Sequence, residues 1–242
     1  MKLSIIIPVY NESRTLQELV EKVLELELPS KIAKEIIIVD DGSSDASGEI
    51  MTDLAKKYKE IKVMKNPKNV GKSQTVKNGI AASTGDFVII QDADLEYLPS
   101  EIADLLKTAM ENDLDVVYGN RFGKNNKVIY WQNYLGNRFL SFLTNLFTYR
   151  RIKTYIPDIE VCYKLIKGDI AREIGKSIES TSSFGFEPEV TAKISRYKKN
   201  GFHLKFGVVP VSYFPRTVKD GKKIKLFKDG LRAILEIVKF NL

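Results

Sequence analysis

The feature that most constrains this chain is a rhythm in its first half: a short branched-apolar run, a polar turn, then a stretch of helical periodicity. The apolar runs are "LSIII" (3–7), "EIIIV" (35–39), "IKVMK" (61–65), "DFVII" (86–90) and "DVVYG" (115–119). Between them lie "RTLQELVEKVLELEL" (14–28), "ASGEIMTDLAKKY" (46–58), "GKSQTVKNGIAAS" (71–83) and "PSEIADLLKTAMEN" (99–112). In the first of these, Leu16, Leu19, Val20, Val23 and Leu24 share one helical face, with Ser13 as a potential N-cap. Pro99 and Ser100 suit the start of the last. Strands apolar on both faces and alternating with helices predict an α/β fold: a mostly parallel central sheet with helices on both faces. A chain of 242 residues is long enough to bury such a core.

In sheets of this kind ligands sit beyond the carboxyl ends of the strands. Those ends carry Pro8, Tyr10, Asn11 and Glu12, then Asp40 and Asp41, then Asp92 and Asp94, then Asn120 and Arg121. Acids dominate this rim, and clustered carboxylates repel one another unless a cation lies between them. Magnesium binds through one or two carboxylates plus substrate phosphates. Asp92 and Asp94 stand one residue apart where the apolar run of "FVIIQDADLEYLP" (87–99) stops, which suits a metal–diphosphate complex. The same acids equally suit capping of the turn and helix that follow.

Other chemistries find less support. "NPKNVGKS" (66–73) nearly matches a phosphate-binding loop, but Asn66 stands where its first glycine belongs and Pro67 removes a backbone donor. Gly71 and Lys72 are instead read as opening the third helix or supplying a charge near a ligand. No G-x-G-x-x-G follows the first strand, which argues against a dinucleotide-dependent dehydrogenase. The single histidine, His203, lies in the alternating stretch "GFHLKFGVVPVSYF" (201–214) and is expected to be a partly buried strand residue rather than a catalytic base. The single cysteine, Cys162, provides neither a disulfide framework nor a cysteine-rich metal site. "MKLSIIIPVYNES" is too short in its apolar part for a signal peptide, and no run approaches 18 apolar residues. The expected location is cytoplasmic, or peripheral on the cytoplasmic face of a membrane.

Charge is unevenly distributed. The net charge is +7, yet residues 193–242 hold 13 Lys and Arg against 3 acids, leaving −3 for residues 1–192. Residues 121–157 carry seven basic residues, no acid and nine aromatics. Such zones suit phosphates, anionic membrane surfaces or a plainly solvated basic face; no nucleic-acid motif accompanies them, and no nucleic-acid partner is expected.

Read together, "IIIPVYNE" (5–12), "EIIIVDDGSSD" (35–45), "NVGKSQTVKNGI" (69–80), "GDFVIIQDADLEY" (85–97) and "DVVYGNR" (115–121) resemble the family 2 glycosyltransferases, particularly the dolichol-phosphate mannose synthase type. "PDIEVCYKLIKGDI" (157–170), "FGFEPEVTAKI" (184–194) and "YFPRTVKDGKKI" (213–224) resemble that group's later motifs. The resemblance implies a glycosyltransferase A-type fold with one continuous catalytic domain: a nucleotide-sugar-binding half, 1–121, and an acceptor-side half, 122–242. It implies that Pro8, Tyr10 and Glu12 cradle base and ribose, that Val39 and Asp41 contact the base with Asp40 nearby, and that Asp92, Ala93 and Asp94 meet ribose and diphosphate. Asp94 and Asp92 would hold Mg²⁺ or Mn²⁺, with Glu96 at the position of a glutamine that also touches the metal in some relatives. Arg121 would contact the sugar nucleotide, and Arg216 and Lys222 would close over the diphosphate.

The implied reaction is inverting transfer of one hexose from GDP-mannose or a UDP-sugar to a polyprenyl or dolichyl phosphate. A soluble or saccharide acceptor is the alternative within the same chemistry. A non-enzymatic phosphate- or membrane-binding module is the alternative outside it. The Gln-x-x-Arg-Trp motif of processive synthases is absent, which argues for single-sugar transfer. An acceptor phosphate needs no strong base; if a hydroxyl must be deprotonated, Asp158 and Glu160 are the candidates, Asp158 reading equally as a turn acid after Pro157. In "IYWQNYLGNRFLSFLTNLFTYRR" (129–151), Trp131, Leu135, Phe139, Phe142 and Leu146 recur at helical spacing among Arg138, Arg150 and Arg151. This helix either packs onto the sheet domain or rests on a membrane interface and guides a lipid acceptor. Relatives of this type often continue into transmembrane helices; the end of this chain at "LRAILEIVKFNL" suggests a peripheral form or a soluble acceptor.

Overall fold

The strands and helices expected in the first half all form, in the expected order. In the computed structural model, which describes residues 1–29, 32–181, 185–217 and 226–242, they are β1 (Lys2–Val9), α1 (Leu16–Leu24), β2 (Ala33–Asp40), α2 (Ser47–Lys57), β3 (Ile61–Lys65), α3 (Lys72–Ala82), β4 (Phe87–Ile90), α4 (Ile102–Glu111) and β5 (Val116–Asn120). Then come α5 (Trp131–Ile152), β6 (Lys164–Lys167), α6 (Gly168–Lys176), α7 (Phe186–Arg196), β7 (Lys198–Lys199), β8 (Phe202–His203), β9 (Phe206–Pro210) and α8 (Leu226–Asn241).

One seven-stranded sheet runs β3-β2-β1-β4-β6-β5-β9. It is parallel except for β6, which lies antiparallel between β4 and β5. Ile5, Ile6 and Ile7 of β1, and Ile36, Ile37 and Ile38 of β2, are all fully buried. Both faces of these central strands are covered, which is why the apolar runs do not alternate with polar residues. Two strands from beyond residue 121, β6 and β9, complete the same sheet, so residues 1–121 and 122–242 share one core. The three carboxyl ends of β1, β2 and β4 open onto one edge.

The second half departs from expectation in two places. His203 is exposed rather than partly buried: it sits in the two-residue strand β8, which pairs only with β7 across a turn where Asn200 and Gly201 both have positive φ. The alternating pattern of 201–214 therefore belongs to two short strands in different sheets.

Helix α5 is inverted relative to an ordinary amphipathic helix. Its buried side is mainly small and polar, with Ser141, Thr144, Asn145 and Thr148 beside Leu140 and Ile152. Trp131, Leu135, Phe139, Phe142, Leu146 and Tyr149 are all more than half exposed. Packing of that apolar stripe onto the sheet domain is thereby corrected. The buried polar side has its own partners: Asn145 exchanges two hydrogen bonds with the backbone of Ile156 (2.7 and 2.9 Å), and the Ser141 hydroxyl accepts from the Ile159 N–H (3.1 Å). The polar face of α5 thus anchors the loop that carries Asp158 and Glu160. Among the described residues, no helix is long and apolar enough to cross a membrane.

Candidate active site

The turn after β4 delivers Asp92, Asp94 and Glu96 to the carboxyl edge, where Asp92 is paired with Lys72 while Asp94 and Glu96 share Arg216. Asp92 meets Lys72, whose Nζ lies 3.0 Å away and also reaches Glu187 at 3.2 Å. Lys72 is the first residue of α3, and Gly71 before it has φ +87, a left-handed conformation that favours glycine. The phosphate-loop look-alike is therefore a helix entry that aims a lysine at the acid pair. Asp41 fixes that entry by accepting from Val70 N–H, Gly71 N–H and the Asn66 amide at 2.8–2.9 Å.

Asp94 meets Arg216, whose Nη2 donates to its Oδ2 at 2.7 Å; Nη1 of the same guanidinium lies 3.3 Å from both Glu12 oxygens. Arg216 lies on residues 211–217, which follow β9 and lie along the site. Their course is set by Glu101, which accepts from the Ser212 N–H (2.8 Å), and by Glu96, whose backbone oxygen accepts from the Phe214 N–H (2.8 Å). The Glu96 carboxylate accepts from the Tyr213 hydroxyl (2.7 Å) and the Arg216 N–H (2.8 Å). Glu96 thus locks the segment that brings Arg216 across to Asp94.

The titration of these groups follows from this packing. Burial pushes the Asp94 carboxyl up, and the nearby Asp92 and Glu96 charges push it further, to about 7 against the pull of Arg216. Burial also works against ionised Asp92, but Lys72, aided by Cys162 and Lys164, outweighs it and holds this carboxyl below the usual range. The acids around Asp94 are short of positive charge, and that deficit fits a divalent cation. Among the described residues no three His, Cys, Asp or Glu side chains are gathered into a metal cage. The expected three-carboxylate set of Asp92, Asp94 and Glu96 is not formed, because Glu96 is turned to Tyr213 and Arg216. A donor set of one or two carboxylates completed by diphosphate oxygens is the arrangement magnesium accepts.

Arg121, after β5, is held by Asp158 in a fork: Nε and Nη2 each donate at 2.7 Å, and the Arg121 N–H adds a third bond at 3.1 Å. Asp158 is fully buried and is absent from the cavity wall, whereas Arg121 lines it and stacks over the Tyr213 ring at 5.0 Å. Asp158 therefore holds Arg121 in place from behind the cavity wall. Pro8 is partly buried at the end of β1 and Tyr10 is exposed beyond it, but Val39 is fully buried within β2, so its side chain is in the core rather than at the rim. Ala93 is buried, and its carbonyl accepts from Thr15 at 2.7 Å. Lys222 lies outside the described residues.

One cavity of about 870 Å³ joins these groups to the second half. Asp92, Asp94, Lys72 and Arg216 line one end; Phe139 and Leu140 of α5 and Leu231 and Ile234 of α8 line the other. The residues that sequence alone did not single out are Lys72 as an acid partner, Glu187 and Tyr213. Their signals were present only as a glycine–lysine helix entry and as acids in the first turn of α7.

An α/β sheet with a cavity of paired acids and bases at its carboxyl edge defines the class, and sequence comparison gives the family. Residues 4–175 match "Glycosyl transferase family 2", and the chain belongs to that family. A dolichol-phosphate mannosyltransferase of Pyrococcus furiosus is 37% identical over 134 residues, 55% of this chain and 37% of that protein. A dolichyl-phosphate beta-glucosyltransferase of Dictyostelium discoideum is 26% identical over 250 residues, covering 99% of this chain and 73% of that protein. In the first of these the match spans little more than a third of the relative's length. Glucosyl-3-phosphoglycerate synthase from Mycobacterium tuberculosis, solved with Mn²⁺, UDP and glucosyl-3-phosphoglycerate, superposes with a TM-score of 0.68 over 99% of this chain and 80% of that one. At 16% identity this likeness bears on the fold, which is that of the glycosyltransferase A type.

Proposed function

We propose that this protein is an inverting, metal-dependent hexosyltransferase that moves one sugar from a GDP- or UDP-sugar to a polyprenyl phosphate. The observation that carries this reading is the arrangement around Arg216, a guanidinium held at once by Asp94, Glu12 and Glu96 on the ligand edge of the sheet. Acids to hold a cation and bases to meet a diphosphate stand within one salt-bridge network.

In the proposed reaction an acceptor phosphate oxygen attacks the anomeric carbon opposite the departing diphosphate, and the carbon–oxygen bond to that diphosphate breaks with its electron pair. When bound, Mg²⁺ or Mn²⁺ would supply charge neutralisation to the leaving group. Asp94 and Asp92 are the residues proposed to hold it. Arg216 is proposed to exchange its carboxylate partners for diphosphate oxygens as negative charge develops. Arg121, held by Asp158, presents a further positive charge on the cavity wall. An acceptor phosphate is already ionised near neutrality, and the chain's one histidine lies on an exposed hairpin. The two dolichyl-phosphate sugar transferases among its relatives support a lipid-phosphate acceptor.

The test is transfer of radiolabel from GDP-mannose or UDP-glucose to polyprenyl phosphate in anionic vesicles, with and without Mg²⁺ or Mn²⁺. Metal-dependent label in the organic extract is expected. Label confined to a water-soluble product would instead point to a soluble acceptor.

The exposed stripe of α5, flanked by exposed Leu231 and Leu235 on α8 and by Arg138 and Arg150, supports peripheral seating on an anionic bilayer. Replacing Phe142 and Leu146 together by glutamate is expected to weaken co-sedimentation with anionic vesicles by about tenfold or more, since each change removes buried apolar area and adds repulsion. Undiminished sedimentation of that variant would remove the membrane from this account.

A further inference from the structure

Among the acids lining the cavity, Glu160 has a buried carboxylate oxygen without a hydrogen-bond partner among the described residues, and the proposed chemistry gives it no task. We infer that the Glu160 carboxyl is a hexose-recognition residue, hydrogen-bonding a hydroxyl of the sugar being transferred and so setting which hexose the protein accepts. This rests on the donor-site reading given above.

Glu160 lines the cavity, and its Oε1 is out of water with no hydrogen-bond partner among the described residues. A buried polar atom left unpaired is costly, and such an atom on a cavity wall is normally matched by what fills the cavity. Its surroundings indicate what that occupant offers. Glu187, from α7, and Lys164, from β6, face it; Arg121 and Asp158 lie on the side of β5 and the loop after α5. Burial first, and then the Glu187 charge, push the Glu160 carboxyl up to about 8 despite Lys164 and Arg121. Near neutrality it is an uncharged acid, able to donate one hydrogen bond and accept others. That is the complement of a sugar hydroxyl, and it avoids the repulsion that a second carboxylate would exert on a diphosphate.

Position agrees with chemistry. Lys72 touches Asp92 at 3.0 Å and Glu187 at 3.2 Å, so the acid that faces Glu160 lies within about one sugar ring of the proposed diphosphate end. A hexose on that diphosphate would project into the cavity whose wall includes Glu160 and Tyr97. The loop carrying Glu160 is pinned to α5 by Asn145 and Ser141, which gives the fixed geometry that discrimination between epimers requires.

The test compares the affinity of each sugar nucleotide with that of its bare diphosphate by titration calorimetry in Mg²⁺, using UDP, UDP-glucose, UDP-galactose, GDP and GDP-mannose. In the wild type the preferred sugar nucleotide binds more tightly than its diphosphate. Glu160→Met, which keeps the side-chain volume and leaves no unpaired polar atom, is expected to reduce that sugar-dependent gain about tenfold while the bare diphosphate stays within about twofold. Glu160→Gln, which still donates and accepts, is expected to keep most of the gain. An unaltered gain in Glu160→Met, or an equal loss for diphosphate and sugar nucleotide, overturns the assignment alone. Failure of the wild type to bind either diphosphate overturns the donor-site reading and this inference with it.

Discussion

Hexose transfer is expected to fall by about two to three orders of magnitude when Asp94 is changed to asparagine, at saturating donor and metal. Asparagine is close to isosteric with aspartate, so the effect of the change is electrical. Asp94 is short of positive charge: burial, Asp92 and Glu96 all oppose its ionisation, and only Arg216 and a hydrogen bond from the Glu96 N–H favour it. In the metal-free protein its folded-state pKa is raised from the ordinary 3.8 to about 7. A raised carboxyl binds its proton more tightly in the folded state, so stability from this group is fully present at low pH and is lost as pH climbs from about 4 to about 7. The asparagine variant has no such loss, and without metal at pH 8 it is expected to melt no lower than the wild type. Activity and stability should therefore separate: transfer collapses while the fold holds. Turnover within a few-fold of wild type would show that Asp94 is not a ligand of the cation.

How much of this could be read beforehand differs between the halves of the chain. The β1 to β5 rhythm was legible because strands buried on both faces write continuous Ile and Val runs, which nothing in a loop imitates. The acid pair was legible for a related reason: Asp92 and Asp94 follow directly on the last buried residues of β4. The antiparallel strand β6 was not, because "KLIK" is four residues long and its direction is set by where the chain returns, not by its composition. Helix α5 shows the limit of periodicity. An apolar stripe at helical spacing states that one face is apolar but not which way it points, and here the Ser141, Thr144, Asn145 and Thr148 face is inside. The counter-charges were hidden by distance along the chain: Arg216 is 204 residues from Glu12, and Lys72 is 115 from Glu187. Spacing reveals neighbours on one helix or turn, and these pairs are neither.

Replacing Asp158 with alanine should unfold the protein far more readily, at a cost of about 3–5 kcal/mol, because it strands a charge inside the protein. Asp158 is fully buried, the Arg121 side chain is 10% exposed, and their fork of two 2.7 Å contacts leaves neither group another counter-ion at that distance among the described residues. At roughly 2–4 °C per kcal/mol for a domain of this size, the melting temperature should drop by about 10 °C. Removing both charges, as in Arg121→Met with Asp158→Leu, should recover much of that loss, since a buried pair replaced by apolar groups of similar volume is often close to neutral. Recovery of stability should not bring back activity, because the double variant also removes the cation from the cavity wall. A residue acting instead as a proton acceptor would behave in the opposite way: Asp158→Asn would keep its melting temperature and lose turnover in a pH-dependent manner. Thermal melting and label transfer on the same three variants distinguish the two roles. The geometry favours the first, because a carboxylate that already accepts three hydrogen bonds from Arg121 has its lone pairs committed to aiming a guanidinium at the substrate.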